Sequence, residues 1–267
     1  MVATPIGNLD DIGHRALTVL TAVDWIAAED TRHSARLLAH YGIATPLRSL
    51  HEHNEQARVP QLLAELRSGR SGALISDAGT PLISDPGFPL LRALRREGLA
   101  VRAVPGPSSV LAALSIAGLP CERFTFEGFL PARREARRQR LAALREHPCT
   151  LVLFEAGRRV VASLGDMVDL LGADRPACIA RELTKAFEES HTATLAELRD
   201  WLQARETRCR GEFVLVVQAV PQQAPDLAEQ RRVRAALLRG LPLKRARALA
   251  GELSGARRHA LDTLALA

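Results

Sequence analysis

Short apolar runs alternate along this chain with longer stretches in which apolar residues recur every three or four positions. The runs predict strands at Val2–Thr4, Trp25–Ala28, Leu47–Leu50, Ala73–Ser76, Ala100–Val104, Arg123–Glu127, Thr150–Phe154, Ala177–Ala180 and Glu212–Ala219. The periodic stretches predict helices over 12–22, 31–41, 54–67, 89–97, 108–117, 132–146, 158–171 and 194–204. Thr31 and Asn54 stand where N-caps belong, and Gly42, Gly69, Gly98 and Gly172 follow helix ends. Strands that alternate with helices imply an α/β protein with largely parallel sheets and helices on their faces. Nine strands exceed one small sheet. The Gly118-Leu-Pro-Cys-Glu122 stretch divides them into two α/β lobes, residues 1–118 and 119–220. After a second linker, Pro221-Gln-Gln-Ala-Pro225, strand signals cease. Residues 226–267 predict a small tail of three helices (227–239, 243–253 and 256–266) with short turns between them, a pattern compatible with a helix-turn-helix module.

Charge changes this picture. The net +6 lies entirely in the tail: residues 227–267 hold nine basic and three acidic side chains, and the rest of the chain holds 27 of each. A basic appendage on a neutral body fits a polyanion partner, although a solvated helical cap would look the same. Of the 36 basic residues only Lys185 and Lys244 are lysines. No apolar run approaches the roughly 18 residues of a membrane span. The N-terminal residues lack a basic, apolar leader pattern. Cys121, Cys149, Cys178 and Cys209 are far apart and form no Cys-x-x-Cys pair. A cytoplasmic protein with reduced thiols, no membrane segment and no metal site is expected.

Candidate chemistry gathers where predicted strands end. The richest segment is Ser76-Asp-Ala-Gly-Thr-Pro-Leu-Ile-Ser-Asp-Pro-Gly87, with two glycines and two prolines in a loop between a strand and a helix. Open α/β sheets bind small molecules at that edge. Four more segments lie at equivalent ends: Ala3-Thr-Pro-Ile-Gly-Asn-Leu9, Ala28-Glu-Asp-Thr-Arg32, Pro105-Gly-Pro-Ser-Ser109 and Arg181-Glu-Leu-Thr-Lys185. Any one could be turn chemistry alone; five at one edge suggest a site. No dinucleotide-binding glycine fingerprint, Walker A loop, His-Glu-x-x-His or Gly-x-Ser-x-Gly occurs. His51 and His53, the one close histidine pair, read as a solvated loop.

These segments, with Phe126-Glu-Gly-Phe-Leu-Pro131, Ala180 to Glu189 and Gly211-Glu-Phe-Val-Leu-Val-Val217, occur in an order that resembles the tetrapyrrole methylase superfamily over essentially the whole chain. Within it, the likeness is to members that 2′-O-methylate a cytidine in the decoding region of 16S rRNA. The resemblance implies two lobes of the tetrapyrrole methylase type, S-adenosyl-L-methionine in the cleft between them, a homodimer, and 16S rRNA in the assembled small ribosomal subunit as partner. It also leads one to expect proline at Gly157, so that loop should be looser here.

The resemblance assigns the cofactor to Pro5, Asp77, Ala78, Gly79, Ile83, Ser84 and Ser108 from the first lobe, and to Leu183 and Thr184 from the second. For the acceptor hydroxyl, Lys185 is the first candidate base, since desolvation can lower a lysine enough for that role. Glu182 is the alternative, and a plain ion pair of Lys185 with Glu188 or Glu189 is the structural reading. Asp30 and Arg32 belong on the acceptor side. Arg133, Arg137 and Arg140 share one helix face, flanked by Arg134 and Arg138, and suit phosphate binding, or a solvated face paired with Glu135 and Glu146. Lys244, Arg245, Arg257 and Arg258 supply the tail's share. Two other functions stay open: a methylase of a small tetrapyrrole, and a non-enzymatic RNA-binding factor.

Overall fold

The computed structural model describes residues 1–220 and, beyond them, Arg245 and Leu249, both helical. The predicted tail helices, with Lys244, Arg257 and Arg258, otherwise lie outside the described residues. Residues 1–220 form one unit that carries two sheets.

The first sheet has the order β2-β1-β3, from β1 (Trp25–Ala28), β2 (Leu47–Ser49) and β3 (Gly72–Leu74), all parallel. All four residues of β1 are buried because it is the central strand. Helices α1 (His14–Ala22), α2 (Thr31–His40), α3 (Glu55–Arg67) and α4 (Phe88–Arg96) connect and cover these strands. Two expected strands, Val2–Thr4 and Ala100–Val104, are reduced to bridging contacts. Val2 N donates to Leu74 O (2.9 Å), and Val104 N to Met1 O (2.8 Å). The chain leaves the sheet at Thr4, which turns to pair with Gly79 instead.

The second sheet has the order β4-β5-β8-β6-β7, from β4 (Phe124–Phe129), β5 (Thr150–Ala156), β6 (Pro176–Arg181), β7 (Glu189–Thr194) and β8 (Glu212–Val217). Only β4 and β5 run parallel; the other pairs are antiparallel. The expectation of largely parallel sheets therefore holds for the first sheet and fails for the second. Strand β7 was not foreseen. Its sequence, Glu-Ser-His-Thr-Ala-Thr, carries no apolar run because it is an edge strand with an exposed face.

One face of this sheet packs on α6 (Arg134–Leu144), α7 (Gly157–Leu171) and α8 (Leu195–Gln203), around Leu141, Leu153, Leu164, Met167, Ile179, Leu195 and Leu215. The opposite face, Val152, Cys178, Ala180, Val214 and Val216, is covered by Val110, Ala113 and Leu114 of α5 (Ser109–Ile116). Although α5 precedes the expected lobe boundary at residue 118, it packs on the second sheet. Ile6 and Leu183 join the same cluster, so apolar contact is continuous from the first loops to the second sheet.

Candidate active site

The strand ends of the first sheet and the inner edge of the second enclose a cavity of about 500 Å³. That lies within the usual range for small-molecule sites, roughly 300–1,000 Å³. Asp77, Ala78, Gly79, Ile83, Ser84, Ser108 and Leu183, seven of the nine residues expected to hold a cofactor, line it. Pro5 and Thr184 are not among its lining residues. Sequence reading missed Glu29, Asp85, Phe129, Phe154, Glu155 and the Gly211–Val214 segment, which also line it. Glu29 and Asp85 lay inside segments already singled out. The Gly211–Val217 segment was singled out as a motif but not as cavity lining, because antiparallel pairing of β8 with β5 and β6 is what brings the start of that strand to the cavity.

The Ser76–Gly87 loop is shaped by its backbone. Thr4 N donates to Gly79 O (2.9 Å) and Gly79 N returns a bond to Thr4 O (3.1 Å), while Thr4 Oγ1 donates to Ser76 O (3.1 Å). These bonds tie two of the motif segments together. Leu82 (φ 76°) and Ser84 (φ 65°) adopt left-handed angles without being glycine. The other non-glycine residues of that kind among those described are Glu182 (φ 50°) and Thr184 (φ 64°), across the cleft. Such backbone states are costly and gather at ligand sites.

Across the cleft, Lys185 Nζ donates to Glu182 Oε1 and to Glu212 Oε2, both at 2.9 Å. Burial alone would lower its pKa, but those two carboxylates outweigh burial and hold the ammonium above the usual lysine value. The expected lowered lysine base is thus corrected: Lys185 is a paired cation, its partners are Glu182 and Glu212 and not Glu188 or Glu189, and it does not line the cavity. Glu182 is equally committed. Burial raises it, yet bonds from Lys185 and the Glu212 amide bring it below the ordinary range. Asp30 is an N-cap for α2, accepting from Arg32 N (2.8 Å) and His33 N (3.3 Å). Those amides lower its pKa, and it too is absent from the cavity wall.

Three carboxylates do face the cavity from the first sheet. Asp77 Oδ1 accepts from Asp30 N (3.1 Å). Burial, then the nearby Glu29 charge, pushes Asp85 up to about 6. Burial, then Asp77 and Glu52, raises Glu29 above its usual value. Among the described residues, no group of three or more histidine, cysteine, aspartate or glutamate side chains is placed to hold a metal ion.

The arginine helix differs from the sequence reading. Arg137 is buried and pairs with the equally buried Asp166 (2.7 Å); Arg134 and Arg138 reach the same carboxylate at 3.3 and 2.8 Å. Arg140 Nε donates to Glu127 at 2.9 Å. Arg137 is therefore closed to an RNA phosphate. Arg133 is exposed and without an ion pair among the described residues, Arg32 is almost fully exposed, and Arg245 is exposed. Gly157 is not loose: a Cβ there would meet Cys209 O, with Arg210 Cα and Gly211 O at 3.1 Å.

The motif loops at the strand ends thus meet over one acidic cavity. Residues 1–199 match the tetrapyrrole (corrin/porphyrin) methylases, and the chain belongs to that family. Over its full length it is similar to proteins named ribosomal RNA small subunit methyltransferase I. That of Pseudomonas aeruginosa is 52% identical over 269 residues, covering 100% of this chain and 95% of the relative. That of Escherichia coli O157:H7 is 50% identical over 267 residues, covering 100% and 93%. Among solved structures, diphthine synthase matches with a TM-score of 0.64 at 16% identity, covering 82% of this chain and 88% of that one. Uroporphyrin-III-C-methyltransferase from Thermus thermophilus matches at 0.58 and 22%, covering 81% and 92%. At such identities the likeness shows the fold.

The methyl donor is S-adenosylmethionine. The cavity fits it. Glu29, Asp77 and Asp85 place negative charge where a cationic donor would lie, and the energetic cost of crowding them is relieved by a positive ligand. Ile6, Ile83, Phe129, Phe154 and Val214 offer apolar surface for a flat ring. Thr184, next in sequence to Leu183 of the wall, has its Oγ1 buried with no hydrogen-bond partner among the described residues.

Proposed function

We propose that this chain transfers the methyl of S-adenosylmethionine to small-subunit ribosomal RNA, at the ribose 2′-hydroxyl of a cytidine in the decoding region. The observation that carries the reading is full-length similarity, at about half identity, to methyltransferases named for that RNA, joined to an acidic cavity formed by the shared motif loops. When bound, the donor supplies an electrophilic methyl on a positively charged sulfur. The chain supplies position. Asp77, Ala78, Gly79, Ile83, Ser84 and Ser108 hold the donor from one side and Leu183 from the other, while Pro5 and Thr184 belong to the adjoining loops. Orientation of this kind is worth about 7–11 kcal/mol of barrier.

Arg32 and Arg133 are the exposed cations of the body best placed for phosphates, with Arg134, Arg138 and Arg140 contributing where their ion pairs leave hydrogen-bonding capacity. Arg245 and the rest of the basic tail extend that surface. The assembled subunit as substrate, a homodimer and a cytoplasmic setting complete the reading. Four free thiols suit that setting. No helix among the described residues is long and apolar enough to cross a membrane.

The test is to incubate the protein with labelled donor and unmethylated small subunits, then map the label. One methylated cytidine ribose is expected, and 2′-deoxycytidine at the target should give no product. Label on a base, or on a porphyrinoid and not on the subunit, would overturn the reading.

A further inference from the structure

We propose that the exposed ring of Phe129 is the platform on which the base of the acceptor nucleotide stacks while its ribose meets the donor. The inference rests on the reading of that acceptor as an RNA ribose. A nucleotide whose sugar reaches into a protein cavity leaves its own stack, and RNA bases splayed out in this way are held on aromatic side chains. The cavity offers one ring suited to that task. Of the large apolar side chains exposed among the described residues, only Ile83 and Phe129 line the cavity. Phe129 is the aromatic one, and it is 55% exposed. The other rings on the wall are turned inward: Phe213 is buried, and Phe154 is half-buried against the apolar cluster under α5.

An irregularity in β4 puts the ring there. Side chains alternate between the two faces of a strand, so regular β-structure would send Phe126 and Phe129 to opposite faces. Phe126 pairs with Val152, but Gly128 pairs with the very next residue, Leu153, and Phe129 with Phe154, so Glu127 is the extra residue of a bulge. Gly128 takes φ 65°, a left-handed angle. The extra residue returns Phe126 and Phe129 to one face, where both form T-shaped pairs with Phe154, centroids 4.8 and 5.5 Å away. Bulges re-aim side chains next to active sites in this manner. A Cβ on Gly128 would lie 3.3 Å from Ser84 Oγ, so the bulge also rests against the Ser76–Gly87 loop. Phe129 is thus anchored by Phe154 at the cavity and still more than half open to solvent.

Arg133, exposed and four residues further on, stands on the same segment for the nucleotide's phosphate. An aromatic face stacks on any base. Phe129 therefore sets where the ribose lies and does not choose the base.

The test is run without donor, so that any share of Phe129 in holding the donor does not enter. Filter binding of unmethylated small subunits compares wild-type protein with Phe129→Leu, Phe129→Ala and Phe129→Tyr. F129L keeps apolar bulk and removes the ring; F129Y keeps the ring. F129L and F129A should each weaken binding about tenfold, and F129Y should stay within about threefold of wild type. A second arm uses reconstituted subunits that carry an abasic ribose at the target nucleotide. Wild-type affinity should fall by the same factor, and F129L should lose nothing further, because the contact is already gone. F129L binding as tightly as wild type, or losses from F129L and from the abasic nucleotide that multiply in full, would each overturn the assignment. Failure of the rRNA reading would look different: wild-type protein given donor would leave the intact subunit unlabelled.

Discussion

Asp166 is buried on α7 among three guanidinium groups from α6. Burial works against its charge, but hydrogen bonds from Arg138, Arg137 and Arg134 prevail and lower its pKa. Asp166→Ala leaves Arg137 charged, buried and alone. Breaking such a pair costs about 3–5 kcal/mol, so urea midpoints should fall sharply while any molecule still folded binds the donor normally. Asp85 gives the opposite case. The folded chain keeps its proton up to about pH 6, whereas an unfolded aspartate loses it near pH 4. The unfolded state therefore gains ground as pH rises through that window. Asp85→Asn should stabilise donor-free protein at pH 8 by about 1 kcal/mol once solvent screening is allowed for, seen as a higher Tm, and the gain should vanish below about pH 4. The same variant should bind the donor more weakly. The spacing of Arg133, Arg137 and Arg140 is plain in the sequence, but Asp166, 29 residues beyond Arg137, is not a neighbour until α6 and α7 pack.

Among elements, the loops carry the function and the strands hold them in register. Thr194 shows how far local rules reach: it accepts from Glu197 N (3.3 Å) while Glu197 Oε2 accepts from Thr194 N (3.0 Å), a capping box readable from the residues alone. Gly7 shows where they stop. A Cβ on Gly7 would meet the Lys185 side chain, with Thr184 Oγ1 at 2.9 Å and Leu183 O at 3.0 Å. The first motif loop thus rests directly on the last, across the cleft. Gly7→Ala should prise those loops apart, weakening the donor about tenfold with little change in thermal stability. Calorimetry beside a melting curve separates the two effects; unchanged affinity would mean that the contact yields without consequence.

For the molecule as a whole, charge is partitioned from chemistry. The body is balanced and encloses an acidic cavity, while the excess positive charge belongs to residues 227–267. A chain ending at Val220 should retain donor affinity. Its affinity for the small subunit should fall at least about tenfold near 0.1 M salt, with a shallower dependence of log K on log salt, because fewer counterions are released. Filter binding across a salt series measures both. An unchanged slope would assign phosphate recognition to the body, where Arg32 and Arg133 stand exposed.

Taken alone, the sequence determined the order of most elements, the five loops of the site and the family, since periodicity, caps and turn residues act over a few neighbours. It could not show that α5 crosses to the second sheet, that β7 closes its edge, or that two expected strands shrink to single bridges. Nor could it show which charges are spent. Lys185 with Glu212 and Arg137 with Asp166 are joined across 27 and 29 residues, while Glu29 is left without a partner among the described residues. Those outcomes depend on burial and on distances through space, which only tertiary packing sets.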